Sequence, residues 1–319
     1  MTISAEMVRD LREKTGAGMM KCKEALTNCN GDLEKAIDFL RKKGLASAEG
    51  RSGRATSQGL VMAALAADYR SAAVLEVNCE TDFVARNEQF RDFGQTLLNL
   101  ALNSQAIRSV SDLEAVALPG GQKVEEARKA LIAKFGENMN VGRVERLEIA
   151  AGHHGILDTY IHGDGSIGVV VQIECDNDKY AQAPELKSFA HEVALQVAAM
   201  KPRYVNRAAV PADVVVREKD VVLGQIKNDP KNASKPENVM QKIVEGRIDK
   251  FYKESCLSEQ LYVKDDSKTI LVLAEEVGKK IGTKVSVVAF RRWMLGEKVT
   301  APVAQPVDAA CACSCACAE

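Results

Sequence analysis

The chain has 319 residues, of which 46% are hydrophobic and 27% charged, and its formal net charge is −1. This length predicts about two or three domains, and the near-neutral charge excludes a global basic field for attracting nucleic acid. No apolar run approaches the roughly 20 residues that a membrane-spanning helix needs, and charged residues appear too early for a signal peptide. We therefore expect a cytoplasmic protein.

We predict that residues 1–45 form a small domain of three helices. Ser4 is placed to cap the first helix, and the basic-then-glycine ending at Gly44 predicts the end of the third. About 45 residues make a minimal core, which is typical of a recognition module. Met19 and Met20 begin the second helix beside a glycine turn, either as adaptable partner-binding side chains or as core filler.

A stretch rich in Gly, Ser, Arg and Thr follows at residues 46–58 and predicts a basic linker. Its arginines Arg51 and Arg54 leave open a role as an RNA-binding or ribosome-associated protein. A salt-dependent shift of RNA would favour that alternative.

We predict that the next segment, residues 59–149, forms the first of two core subdomains. Alternating apolar residues and turn signals divide it into strands and helices. The predicted elements are strands at Leu60–Asp68 and Ala72–Cys79, helices at Phe90–Leu102 and Val124–Phe135, and a strand at Val141–Ile149.

A large apolar side chain, Phe83, stands where the second strand turns into a helix. Thr81 and Asp82 before it are good helix N-caps. Phe83 either folds back as a staple onto the following helix or projects from a connection that carries function.

The chain aligns with itself at an offset of 96 residues, which places Cys175 on Cys79. No gap is needed from Gly59 to Ala199. Similarity of this length indicates two copies of one α+β unit rather than a solenoid. The copies differ at one informative position, where Phe83 of the first copy aligns with Lys179 of the second. A position that is apolar in one copy and charged in the other argues against a core role, which favours an exposed, functional Phe83.

The second copy begins at residues 150–207 and closes at residues 259–299, with a helical insertion at residues 208–258. The insertion predicts two helices joined by a tight turn, an antiparallel hairpin whose apolar seam could extend to another subunit. The predicted elements are a hairpin turn at 162–165, a strand at 167–173, a helix at 185–200, a turn at 227–232, a helix at 270–281 and a strand at 284–292.

Cysteines fall into two groups. Cys22, Cys29, Cys79, Cys175 and Cys256 are scattered singly, as expected of small buried hydrophobes in a reducing compartment. The others lie in residues 300–319, a segment of Ala, Pro and Cys that predicts a disordered Cys-rich tail.

Four cysteines alternate along that tail, at Cys311, Cys313, Cys315 and Cys317. They are candidate ligands for a soft metal such as Cu(I) or Zn(II), or candidates for a thiol role. Structural zinc sites use wider C-x₂-C spacing, so a tolerated extension is the favoured interpretation. His153 and His154 are adjacent and cannot share one face, which argues against a metal site there as well.

Together these patterns predict an α+β protein with a small N-terminal three-helix domain, a duplicated core of two similar subdomains, an inserted helical hairpin and a disordered tail. No phosphate-binding glycine loop, HExxH or GxSxG motif is present. We expect neither an enzyme nor a cofactor, but a binding protein with a projecting loop.

Five stretches of the chain carry a resemblance to a known family. They are Val8-Arg9-Asp10-Leu11-Arg12-Glu13-Lys14-Thr15-Gly16-Ala17-Gly18-Met19-Met20-Lys21-Cys22-Lys23-Glu24-Ala25-Leu26, Glu76-Val77-Asn78-Cys79-Glu80-Thr81-Asp82-Phe83-Val84-Ala85, Ile161-His162-Gly163, Lys201-Pro202 and Val244-Glu245-Gly246-Arg247. These stretches resemble the translation elongation factor Ts family, and the resemblance runs from residue 3 to about residue 299. The Cys tail lies outside it.

The resemblance implies a guanine-nucleotide exchange factor whose partner is the GTPase elongation factor Tu, with no specific nucleic-acid binding of its own. In the family a loop enters the partner beside its Mg²⁺ site, and the helical hairpin allows a homodimer or a 2:2 complex. The implied loop residues are Thr81, Asp82, Phe83 and Val84, and the implied partner contacts are Arg12, Met19, Met20 and His162.

Overall fold

A computed structural model describes residues 3–228 and 236–297, and it confirms the mixed α and β fold. The tail with its four alternating cysteines and most of the turn predicted at 227–232 lie outside the described residues. The helices are α1 (Ala5–Thr15), α2 (Met19–Asn28), α3 (Leu33–Glu49), α4 (Asp82–Ala85), α5 (Glu88–Asn103), α6 (Val110–Ala115), α7 (Val124–Phe135), α8 (Asp178–Ala181), α9 (Pro184–Met200), α10 (Ala212–Asn228), α11 (Glu237–Ser255) and α12 (Ile270–Ile281). The strands are β1 (Gln58–Leu65), β2 (Ser71–Cys79), β3 (Met139–Glu148), β4 (Gly155–His162), β5 (Ile167–Cys175), β6 (Leu261–Tyr262), β7 (Asp265–Thr269) and β8 (Val285–Met294).

The described chain divides into two compact units. The first contains residues 3–148, 161–168 and 293–297, and the second contains residues 149–160, 169–228 and 236–292. Among the described helices, none is both long and apolar enough to cross a lipid bilayer.

An antiparallel sheet in the order β1-β2-β3 forms the centre of the first unit. Helix α5 packs its apolar face on this sheet through Phe90, Leu97 and Leu98, all fully buried. Gly94 of the same helix faces Met62 of β1, where an added Cβ would lie 2.7 Å from the sulfur. The sheet therefore supports both ends of the connection that carries Phe83.

A second sheet, in the order β4-β5-β8, repeats this design. Each hairpin has a glycine at the same place, Gly59 in β1 and Gly155 in β4, and a side chain at either would collide with a carbonyl oxygen of the neighbouring strand. Each second strand ends at a buried cysteine and leads into a four-residue helix, α4 or α8. This repetition agrees with the offset of 96 residues seen in the sequence.

The copies also correspond beyond the gap-free alignment, at a second offset of 146 residues. Helices α7 and α12 are both 12 residues long, and β3 and β8 are both 10 residues long. Both helices end at a left-handed glycine, Gly136 and Gly282, each with φ of 79°. The change of offset is taken up by the segment that contains α10 and α11, which identifies that helical pair as the insertion.

The inserted helices α10 and α11 pack together through a small apolar seam. Val222, Ile226, Val244 and Ile248 are buried along it, and Arg247 donates a hydrogen bond to Gln225 at 2.7 Å. Other valines of the pair remain exposed, Val216 and Val221 among them.

The N-terminal helices show where a local sequence rule was wrong. Gly44 was expected to end α3, but the helix continues to Glu49, so the first residues of the predicted linker are helical. An added Cβ at Gly44 would lie 2.8 Å from Cβ of Ala133 in α7. The glycine therefore permits close packing between two helices rather than a left-handed cap.

One further expectation was wrong in detail, and one hairpin was missed. Strand β1 ends at Leu65 rather than Asp68, because the chain turns at Ala66 and reaches a positive φ of 62° at Tyr69. The short hairpin of β6 and β7 was not predicted at all. Its residues lack alternation, and it is held by longer-range bonds such as Val263 N–H to Gln196 at 2.9 Å.

Candidate functional site at the Phe83 loop

The short helix α4 holds Phe83 away from the protein. Thr81 caps the helix, and its hydroxyl oxygen accepts a hydrogen bond from the Val84 N–H at 3.5 Å. Val84 and Ala85 are buried in the core of the first unit, whereas the Phe83 side chain is 83% exposed. Phe83 is therefore not a staple on the following helix. Leaving this ring exposed gives up roughly 1.5–3 kcal/mol of favourable free energy that burial would supply. Such exposure is typical of a residue that a partner covers.

The carboxylate of Glu137, which lies between α7 and β3, braces the cap of α4. Glu137 accepts hydrogen bonds from the Thr81 N–H at 3.0 Å and from the Thr81 hydroxyl at 2.7 Å. The neighbouring Asn138 N–H donates to Glu80 at 2.6 Å. Two acidic side chains thus join the loop to the segment after α7.

The charges around the loop are paired locally. Asp82 lies in the first turn of α4, where a negative charge is favourable, and it pairs with Arg86 at 3.3 Å. Arg54 of the linker lies 3.6 Å from Glu80. The RNA-binding alternative that Arg51 and Arg54 left open stays a prediction.

The second copy presents a different side chain on the same scaffold. Asn177 caps α8 through a bond from the Lys179 N–H at 3.0 Å. Lys179 is exposed and stands over the Tyr180 ring, 4.6 Å from its centroid. The scaffold therefore exposes this position in both copies, as phenylalanine in one and lysine in the other.

Directly before the loop lies a buried thiol. Burial and then the Glu137 carboxylate raise the pKa of Cys79 to about 12, and its sulfur lies 3.1 Å from the Thr81 carbonyl oxygen. Burial also raises the pKa of Cys256 to about 11. Both thiols are structural, since the thiolate is the reactive form.

We expect Cys79 and Cys256 to resist iodoacetamide at about pH 8 in the folded chain, because only about 10⁻³ or less of either thiol is ionised there. Peptide mass mapping over a time course would measure this. The half-buried Cys29 serves as an internal comparison and should react before both of them. In urea all should react alike; native modification of Cys79 at the rate of Cys29 would contradict the assignment.

The other predicted partner contacts are also at the surface. Met19 is 55% exposed and Met20 is 77% exposed, so they are not core filler. Arg12 and His162 are exposed as well. All of these residues and the Phe83 loop belong to the first unit, including His162 at the tip of the β4–β5 hairpin.

Across the described ranges, no group of three or more His, Cys, Asp or Glu side chains is arranged to hold a metal ion. His153 instead contacts Glu174 at 2.9 Å.

Comparison with known proteins places these features in a family. The family described as "Elongation factor TS" matches residues 80–297. A curated protein named Elongation factor Ts from Clostridium botulinum (strain 657 / Type Ba4) is 44% identical over 298 residues, covering 93% of this chain and 94% of that protein. One from Clostridium perfringens (strain 13 / Type A) is 41% identical over 297 residues, with 93% and 94% coverage. The chain belongs to the elongation factor Ts family.

Membership of the elongation factor Ts family confirms the resemblance seen in the sequence and identifies a translation elongation factor. The family match includes the whole Phe83 loop and Glu137, and it begins after Arg12, Met19 and Met20. Sequence reasoning missed Glu137. It lies 56 residues from Thr81, and no local pattern marks it.

Proposed function

We propose that the chain is a guanine-nucleotide exchange factor that binds GDP-bound elongation factor Tu, disturbs its Mg²⁺ site and promotes GDP release so that GTP can bind. The observation that carries this proposal is the exposed Phe83 directly before the buried Val84 and Ala85, in a chain of the elongation factor Ts family. The reaction makes and breaks no covalent bond in the protein.

Phe83 would act as a wedge. Bound Mg²⁺ is often the largest local charge in a GTPase site and bridges nucleotide phosphates to the protein. An aromatic side chain that enters beside it displaces the elements that hold the metal's water shell. Because binding of the factor and binding of nucleotide then oppose each other, GDP must weaken binding of the factor by the same ratio.

The loop cannot carry the whole effect. An acceleration of GDP release by about 10⁴ requires about 5.5 kcal/mol of differential binding. One buried aromatic anchor contributes about 2–4 kcal/mol. The exposed Met19 and Met20, with Arg12 and His162, are the further contacts that would supply the rest.

A dimer or a 2:2 complex through α10 and α11 remains a prediction, supported by the exposed Val216 and Val221. The cytoplasmic location expected from the sequence remains a prediction too.

Release of a fluorescent GDP from elongation factor Tu, with and without the full chain in excess Mg²⁺, tests the proposed function. We expect strong acceleration that saturates with the concentration of the factor. Titration of free GDP should weaken the binding of the two proteins, as reciprocity requires. An unchanged rate of GDP release at a saturating concentration of this chain would refute the proposal. A salt-dependent shift of RNA by the purified chain would then favour the RNA-binding alternative.

A further inference from the structure

The two hydrogen bonds from Thr81 to Glu137 fix both the backbone and the side chain of the residue that caps α4. The N–H donates to one carboxylate oxygen at 3.0 Å and the hydroxyl donates to the other at 2.7 Å. Bonds to a charged acceptor are stronger than neutral ones. Since Phe83 follows Thr81 by two residues, the direction of its side chain depends on how rigidly this cap is held.

Glu137 itself stands on a rigid base. It follows Gly136, the left-handed residue that ends α7, and α7 is anchored in the core by Val124 and Ile132. The next residue, Asn138, is buried and donates its N–H to Glu80 at 2.6 Å. Its amide also donates to the Arg54 carbonyl oxygen at 2.8 Å.

The second copy lacks the carboxylate brace. Thr283 occupies the position of Glu137, one residue after the left-handed Gly282. Its hydroxyl donates to Asp176 at 2.7 Å, and Asp176 also accepts from the Lys284 N–H at 2.7 Å. The bond that the Lys284 N–H donates to Asp176 repeats the bond that the Asn138 N–H donates to Glu80. The carboxylate at Glu137 occurs only in the copy that exposes phenylalanine.

We propose that Glu137 is a positioning residue for nucleotide exchange, which holds Thr81 so that Phe83 is already oriented before the partner binds. This inference rests on the proposed function. Pre-orientation raises affinity by reducing the ordering that binding must impose. Glu137 acts through Phe83, and it does not need to touch the nucleotide or its metal.

Two substitutions, Glu137→Gln and Glu137→Thr, separate this role from general stability. Glu137→Gln keeps the size but removes the charge, and Glu137→Thr installs the residue of the second copy. We expect each to weaken the acceleration of GDP release by about tenfold, the effect of losing one charge-assisted bond. The thermal unfolding midpoint should fall by only a few degrees, the effect of one lost bond, so both variants should remain folded in the release assay.

The decisive comparison repeats both substitutions in a Phe83→Ala chain. If Glu137 acts through Phe83, they should change the release rate there by less than about twofold, because coupled residues are non-additive. An equal tenfold loss in the two backgrounds would overturn the proposal, since Glu137 would then contact the partner by itself. Wild-type release rates from both variants would overturn it as well.

Hydrogen exchange at the Thr81 amide tests the brace without a partner. We expect about tenfold faster exchange in both variants, while the amides of the β2 core keep their protection. Unchanged protection of Thr81 would overturn the brace. Hydrogen exchange therefore tests the brace independently of GDP release. An unchanged rate of GDP release with the wild-type chain is a separate result, and it would refute the proposed function.

Discussion

Phe83→Ala should reduce the acceleration of GDP release from elongation factor Tu by about two orders of magnitude, the effect of losing one buried aromatic anchor of about 2–4 kcal/mol. The fold should be unaffected, because the side chain is 83% exposed and its loss leaves no cavity. Stopped-flow release of fluorescent GDP at saturating factor measures the first effect, and thermal unfolding measures the second.

Lys179→Ala provides the matched control for this substitution. It truncates the equivalent position of the second copy, on a four-residue helix of the same design. We expect release rates within about twofold of wild type, as for an ordinary surface substitution. A folded Phe83→Ala chain as active as the Lys179→Ala chain would show that the wedge is wrong and that other contacts drive exchange.

Local signals were sufficient for many of the elements. The bounds predicted for α7 and α12 are those observed, since both helices combine an apolar stripe with a glycine that adopts φ of 79° after the last turn. The duplication was visible for the same reason, because residues at a fixed offset share a local conformation. Exposure of Phe83 followed from that comparison alone.

Other features depend on contacts between distant parts of the chain. Gly44 matches the pattern of a helix end, yet its role is to let α3 approach Ala133. Glu137 shows the same limit within the site. Its partner Thr81 is distant in sequence, and its counterpart Thr283 becomes recognisable only when the insertion of α10 and α11 is known.

A buried ion pair in the first unit is the second feature with a large expected effect. Glu76 is 3% exposed and accepts a hydrogen bond from Nε of Arg143 at 2.8 Å. Its other oxygen accepts from the Asn78 amide at 2.8 Å and from the Gly296 N–H at 3.0 Å. The Arg143 guanidinium stands over the Trp293 ring at 4.5 Å. The Glu76 carboxylate therefore accepts hydrogen bonds from Arg143, Asn78 and Gly296 in a buried site.

The second copy has no such pair, since its corresponding residues are Gln172 and Ala289. A neutral pair is therefore compatible with this scaffold. Removing both charges should cost less than leaving one of them buried without a partner, because most of the penalty for a broken buried pair comes from the remaining charge.

Arg143→Ala should lower the free energy of unfolding of the first unit by about 3–5 kcal/mol, because it leaves the Glu76 carboxylate buried without its cation. The double substitution Glu76→Gln/Arg143→Ala should recover part of this loss. Lys35→Ala, which breaks the exposed pair with Asp32, should change stability little, because solvent screens exposed charges. Urea unfolding followed by the fluorescence of Trp293, the single tryptophan, measures all three. If Arg143→Ala costs no more than Lys35→Ala, or if the double variant is less stable than Arg143→Ala, the unpaired charge is not the source of the loss.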